Sequence, residues 1–165
     1  MNLTDLAMRL GDVLQREGAQ VSTAESCTGG GIAEVITRIA GSSAWFEAGF
    51  VTYSNVQKTR QLGVPESLFI QVGAVSREVV EAMARGAQQN SGARFSVAVS
   101  GVAGPGGGSP EKPVGTVWLA WAADERVVAR RFQFLGDRQA VREQSVEAAL
   151  IGLIRLAAGE NPLQG

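Results

Sequence analysis

Residues 20–39 read Q-V-S-T-A-E-S-C-T-G-G-G-I-A-E-V-I-T-R-I. Gln20 to Ala24 is a short β-rich run, Glu25 to Gly31 a turn of small residues, and Ile32 to Ile39 an apolar helix stopped by Gly41. Strand, glycine-rich turn and helix in immediate succession predict an alternating α/β chain. The same succession predicts an anion cradle, because Gly29 and Gly30 let the backbone approach a ligand and the helix start leaves N–H groups free. Thr28, Gly29 and Gly30 are therefore candidate substrate-binding residues. The turn matches neither G-x-G-x-x-G nor G-x-x-x-x-G-K-[ST], so no nucleotide fingerprint is met, and a connection with nothing bound is the plain alternative.

Outward from this unit the pattern continues. Leu3, Leu6, Ala7, Leu10, Val13 and Leu14 recur at helical spacing and predict a helix over 3–17, ended near Gly18. Glu47 to Ser54 reads as a strand, and Ser54 or Asn55 caps a helix that carries Lys58 to about Leu62. Pro65 opens a short helix, and Ser76 caps one running to Ser91. Phe95 to Ser100 is a strand leading into G-V-A-G-P-G-G-G-S-P-E-K-P, thirteen residues with five glycines and three prolines. A loop of that length inside a domain is usually functional or mobile. Thr116 to Ala122 and Val127 to Phe134 are strands paired across the Ala123–Arg126 turn, and Asp137 caps a long helix to about Ala158. This order predicts one domain over residues 1–165, a three-layer α/β/α sandwich with a mixed sheet of four or five strands.

The 165 residues carry a net charge of −1, which gives no electrostatic case for nucleic acid or an acidic membrane surface. One cysteine rules out an intrachain disulfide framework and suits a reducing cytoplasm. The amphipathic N-terminus is unlike a signal peptide, and no apolar run has the length of a membrane span. The reading is a soluble, cytoplasmic domain. With no histidine and one cysteine, a zinc site is not expected, and no metal ligands are assigned.

The absence of histidine also directs the search for chemistry. Residues 40–58, A-G-S-S-A-W-F-E-A-G-F-V-T-Y-S-N-V-Q-K, place Ser42, Ser43, Tyr53 and Lys58 around one predicted strand. A hydrolytic site here needs another proton acceptor, and lysine is an established partner of a serine nucleophile. The alternative is that the serines turn the chain, the tyrosine packs and the lysine is solvated. The Ser54–Lys58 spacing is Ser-x-x-x-Lys, not the Ser-x-x-Lys of penicillin-recognising enzymes. Arg138 and Arg142 lie one turn apart at the start of the last helix, where the macrodipole disfavours cations. An anion bound between them would explain the placement; solvated arginines are the alternative.

Taken together, T-A-E-S-C-T-G-G (23–30), I-A-G-S-S-A-W-F-E (39–47), G-F-V-T-Y-S-N (49–55) with Lys58, G-A-V-S (73–76), V-S-G-V-A-G-P-G-G-G (99–108), K-P-V-G-T-V-W (112–118) and G-D-R (136–138) resemble the CinA C-terminal domain family. They run through nearly the whole chain in one order. Ser100 is a small departure, standing where many relatives have threonine. The resemblance implies hydrolysis of the carboxamide of nicotinamide mononucleotide to nicotinic acid mononucleotide and ammonia, with no metal or organic cofactor, by a homodimer.

On that reading Ser43 is the nucleophile and Lys58 its base, provided the lysine is neutral often enough. Tyr53 relays the proton or donates to the oxyanion, and N–H groups of the 41–44 turn or the glycine loops complete the hole. Ser26 and Cys27 are rival nucleophiles, with Ser26 otherwise orienting substrate. Ser100, the loop glycines Gly101, Gly104, Gly106 and Gly107, and Arg138 and Arg142 bind ribose and phosphate. A non-catalytic nucleotide-binding module and an amidase for another amide are the competing readings.

Overall fold

Helix starts follow side chains that can accept the free N–H groups of a first turn. A computed structural model describes residues 2–164. Asn2 caps α1 (Leu3–Glu17), Ser54 caps α3 (Asn55–Leu62), Ser76 caps α5 (Arg77–Ser91) and Asp137 caps α6 (Arg138–Ala157). Two shorter helices complete the set, α2 (Gly31–Ile36) and α4 (Glu66–Gln71). The strands are β1 (Val21–Glu25), β2 (Phe46–Val51), β3 (Phe95–Gly101), β4 (Thr116–Ala123) and β5 (Arg126–Gln133).

Two elements end earlier than their periodicity predicts. The helix expected to reach Ile39 stops at Ile36, where the Thr37 hydroxyl donates to the carbonyls of Ala33 (2.8 Å) and Glu34 (3.1 Å). Serine and threonine bonded back into the preceding turn compete with helix continuation in this way. The strand expected to reach Ser54 stops at Val51, because Ser54 turns its hydroxyl to Gln57 N as the cap of α3.

The sheet has five strands in the order β2-β1-β3-β4-β5. β1 is parallel to both neighbours, and β3–β4 and β4–β5 are antiparallel. The β4–β5 hairpin turns through Asp124 and Glu125, with Asp124 at φ 55°, a conformation short polar side chains tolerate. One face packs against α1, α2 and α6 around Leu10, Leu14, Ile32, Val97, Leu119, Trp121 and Leu150. Trp121 is buried there, and its indole donates to Ala149 O of α6 (3.0 Å). The opposite face packs against α3, α4 and α5 around Ala24, Leu62, Val79, Met83, Ala98 and Ala120. This is the three-layer α/β/α arrangement with a mixed sheet.

The chain leaves β1 toward β2 through α2 on one face and returns from β2 to β3 through α3–α5 on the other. Connections therefore part company between the C-terminal ends of β1 and β3. In open α/β sheets ligands bind at such a switch point. Ser26 N donates to Val99 O (3.1 Å) across that junction.

Candidate active site

The turn that follows β1 is built around a residue the sequence reading passed over. Glu25 is fully buried. Its Oε1 accepts from Thr28 Oγ1 and Ile32 N (2.9 Å), and its Oε2 accepts from Ala33 N (3.0 Å). The N–H groups that the start of α2 leaves free, those of Ile32 and Ala33, are therefore taken by the chain's own carboxylate. Thr28 is buried with its hydroxyl committed to Glu25, and Gly29 and Gly30 (φ 59° and 103°) shape the turn. The available signal was an acidic residue directly before a small-residue turn and a helix, the position from which a carboxylate can reach that helix's free N–H groups.

Ser26 begins this turn. It is buried, and its hydroxyl donates to no atom of the described residues. Cys27 beside it is buried, and burial pushes its thiol up to about 11, so it remains protonated near neutral pH. Glu25 raises it further, while Arg142 and Lys58 act in the opposite sense.

Lys58 comes from the first turn of α3 and is 1% exposed. Its Nζ donates to Tyr53 O (3.1 Å), and among the described residues no carboxylate lies within 4.0 Å of it. Burial pushes its pKa below the ordinary value, with neighbouring Cys27 acting in the opposite sense. Thr52 N donates to Glu25 O (2.9 Å), so the Tyr53 carbonyl that Lys58 holds lies at the same rim as the Ser26 turn.

Tyr53 is 61% exposed, and its hydroxyl accepts from Arg138 Nη2 (3.0 Å). Arg138 Nη1 donates to Gly104 O (2.8 Å) in the glycine loop. Arg142 donates through Nε to Cys27 O (3.2 Å) and through Nη2 to Thr28 O (3.3 Å). Neither guanidinium forms an ion pair among the described residues. Ser100 is buried near the end of β3, opposite Trp118, and Gly101 closes that strand. Gly104 is packed so tightly that an added Cβ would lie 2.4 Å from Val114, whereas Gly106 and Gly107 are exposed. A cavity of about 640 Å³ lined by Ala103, Pro105, Val114, Gly136, Asp137, Arg138 and Gln139 adjoins Arg138.

Ser43 is elsewhere. It lies on a 3-10 turn, Ser42–Ala44, before β2, where Trp45 O accepts from Val21 N at the start of β1. Tyr53 and Lys58 follow the other end of β2, where Thr52 N donates to Glu25 O. A six-residue strand at about 3.3 Å per residue separates the two ends by roughly 17 Å. Within one chain Ser43 and Lys58 do not meet, because closeness in sequence across a strand means opposite ends of the sheet. Ser26, Tyr53, Lys58, Ser100, the Gly101–Gly108 loop, Arg138 and Arg142 share the C-terminal rim.

Among the described residues no group of three or more histidine, cysteine, aspartate or glutamate side chains is placed to hold a metal ion. No helix among them is long and apolar enough to cross a membrane.

The family description "CinA C-terminal domain" matches residues 3–157. The chain belongs to the CinA C-terminal domain family. Within that family it is 75% identical over 154 residues to the nicotinamide-nucleotide amidohydrolase PncC of Pseudomonas putida, covering 93% of this chain and 96% of that protein. It is 56% identical over 149 residues to the PncC of Escherichia coli strain K12, covering 90% of each. The crystal structure of competence/damage inducible protein CihA from Agrobacterium tumefaciens superposes with a TM-score of 0.92 at 47% identity, covering 94% of this chain and 96% of that one. A CinA superfamily protein from Klebsiella pneumoniae superposes at 0.93 and 36% identity, covering 96% and 99%.

Proposed function

We propose that the chain is a nicotinamide-nucleotide amidohydrolase, converting nicotinamide mononucleotide and water to nicotinic acid mononucleotide and ammonia. The relatives named PncC support the substrate. The observation that carries the chemistry is Lys58, a buried amine without a carboxylate, on the rim that also holds the Ser26 turn. A lysine whose pKa burial lowers is suited to be the base that a histidine-free hydrolase requires.

Ser26 then takes the role that the sequence reading gave to Ser43. Its Oγ attacks the carboxamide carbon while Lys58 accepts the hydroxyl proton. Collapse of the tetrahedral intermediate breaks the C–N bond, and that proton leaves with ammonia. Water repeats the sequence on the acyl-serine, releasing the acid. The backbone N–H groups of Thr28 and Gly30, which no oxygen of the described residues accepts, are the oxyanion donors in this scheme. Arg138 and Arg142 take the phosphate, and Ser100 with the Gly101–Gly108 loop takes the ribose. Tyr53 faces the reacting amide.

The proposal includes a cytoplasmic homodimer, on the strength of the family resemblance, the open edge of β2 and the exposed apolar side chains of Val51 at its end and Val56 in α3. Sedimentation tests the assembly. Ammonia release by purified protein from nicotinamide mononucleotide, compared with other amides, tests the activity. Release from none of them would leave a nucleotide-binding module, and preferential release from another amide would move the substrate.

A further inference from the structure

Tyr53 is a large side chain left 61% exposed, so packing alone does not fix its ring. Two basic side chains hold it. Lys58 Nζ donates to its carbonyl (3.1 Å) and Arg138 Nη2 donates to its hydroxyl (3.0 Å). The second arm of the same guanidinium, Nη1, is anchored on Gly104 O (2.8 Å). Arg138 therefore bridges the end of β2 and the glycine loop. The guanidinium keeps further N–H groups, and among the described residues it has no carboxylate to neutralise it. Its free donors and uncompensated charge suit a phosphate oxygen.

A phenol that accepts from a guanidinium has its own O–H proton left to give. With Arg138 occupying an acceptor direction, that proton is directed away from the arginine. We propose that Arg138 is a positioning residue for Tyr53: the guanidinium that takes the substrate's phosphate also orients the Tyr53 hydroxyl as a hydrogen-bond donor toward the reacting amide. Phosphate recognition is thereby coupled to turnover. Phosphate clamped on Arg138 steadies the arm that steadies the tyrosine, so binding energy from a remote, unreactive group is expressed in kcat rather than only in KM. This inference rests on the amidohydrolase reading above.

The phosphate-free riboside isolates the effect, because it has no phosphate for Arg138 to bind. Arg138→Ala should lower kcat for the riboside roughly tenfold, the size of one well-placed hydrogen bond to a charged donor. In a Tyr53→Phe background the same substitution should change riboside kcat less than about twofold, since the hydroxyl it orients is gone. An unchanged riboside kcat in Arg138→Ala, or equal losses in both backgrounds, overturns the coupling.

A second readout needs no turnover. Tyr53 is the only tyrosine in the chain, so protein made with 3-fluorotyrosine gives a single fluorine resonance. Inorganic phosphate should shift and sharpen that resonance in the otherwise unaltered protein and leave it unmoved in Arg138→Ala. A resonance indifferent to phosphate in both proteins also overturns the proposal. If the unaltered enzyme releases ammonia from neither substrate, the amidohydrolase reading fails, while the fluorine experiment still decides whether an anion at Arg138 acts on Tyr53.

Discussion

Ser26 and Ser43 carry the same hydroxyl and sit in comparably tight turns, yet only Ser26 shares a rim with Lys58. Ser26→Ala should lower deamidation by several orders of magnitude, whereas Ser43→Ala should stay within about tenfold of the parent, both read as kcat/KM. The reverse order would return the nucleophile to Ser43. Lys58 makes a second prediction with a defined sign. Burial lowers its folded pKa, so the folded chain disfavours the ammonium. Below the folded pKa the full penalty of a buried charge is present. As pH climbs from there toward the ordinary lysine value the unfolded chain holds the extra proton, and stability rises. Activity should rise over the same interval, with kcat/KM following an apparent pKa below the ordinary lysine value. Lys58→Met keeps the volume and removes the charge. It should abolish activity while stabilising the fold by about 1 kcal/mol or more in urea unfolding at neutral pH. A destabilised Lys58→Met would mean that the ammonium is better compensated than its single bond to Tyr53 O indicates.

At the scale of elements, the sequence announced most of its helix starts. Ser54, Ser76 and Asp137 cap α3, α5 and α6 where they were expected to, since capping is local chemistry written in a few neighbouring residues. What stayed hidden is contact between elements. Glu25 was read only as part of a small-residue turn, though it gathers Thr28, Ile32 and Ala33 and thereby fixes how α2 leaves β1. Glu25→Gln supplies two donors where three donors already converge. It should cost about 2 kcal/mol of stability, checked by chemical denaturation, and lower activity through the displaced Ser26 turn. Gly86 was equally silent. In α5 an added Cβ would lie 2.0 Å from Leu62 O, at the end of the helix that carries Lys58. Gly86→Ala should therefore destabilise by about 1–3 kcal/mol, although alanine is the better helix former by about 1 kcal/mol. A higher melting temperature in this variant would show that α3 can yield at no cost.

For the molecule as a whole, the alternation of helices and strands made the layered α/β architecture legible, because hydrophobic period reports which face of each element is covered. Strand order was not legible. Nothing local states that β1 lies between β2 and β3, whereas the separation of Ser43 from Lys58 within one chain follows from the strand predicted between them. The pairing has a consequence in time. Val21 lies beside Phe95 and Glu25 beside Val99, so the two walls of the site come from distant parts of the chain, while β4 and β5 close through a two-residue turn. Short hairpins form in about 1–10 μs, but joining distant segments must first overcome the entropy of the intervening loop. During synthesis or refolding the chain thus acquires helices and its hairpin while Ser26 and Ser100 are still strangers. Competence to bind a nucleotide should then arrive with the docking of β3 against β1, which refolding followed by ligand binding would time against helix formation.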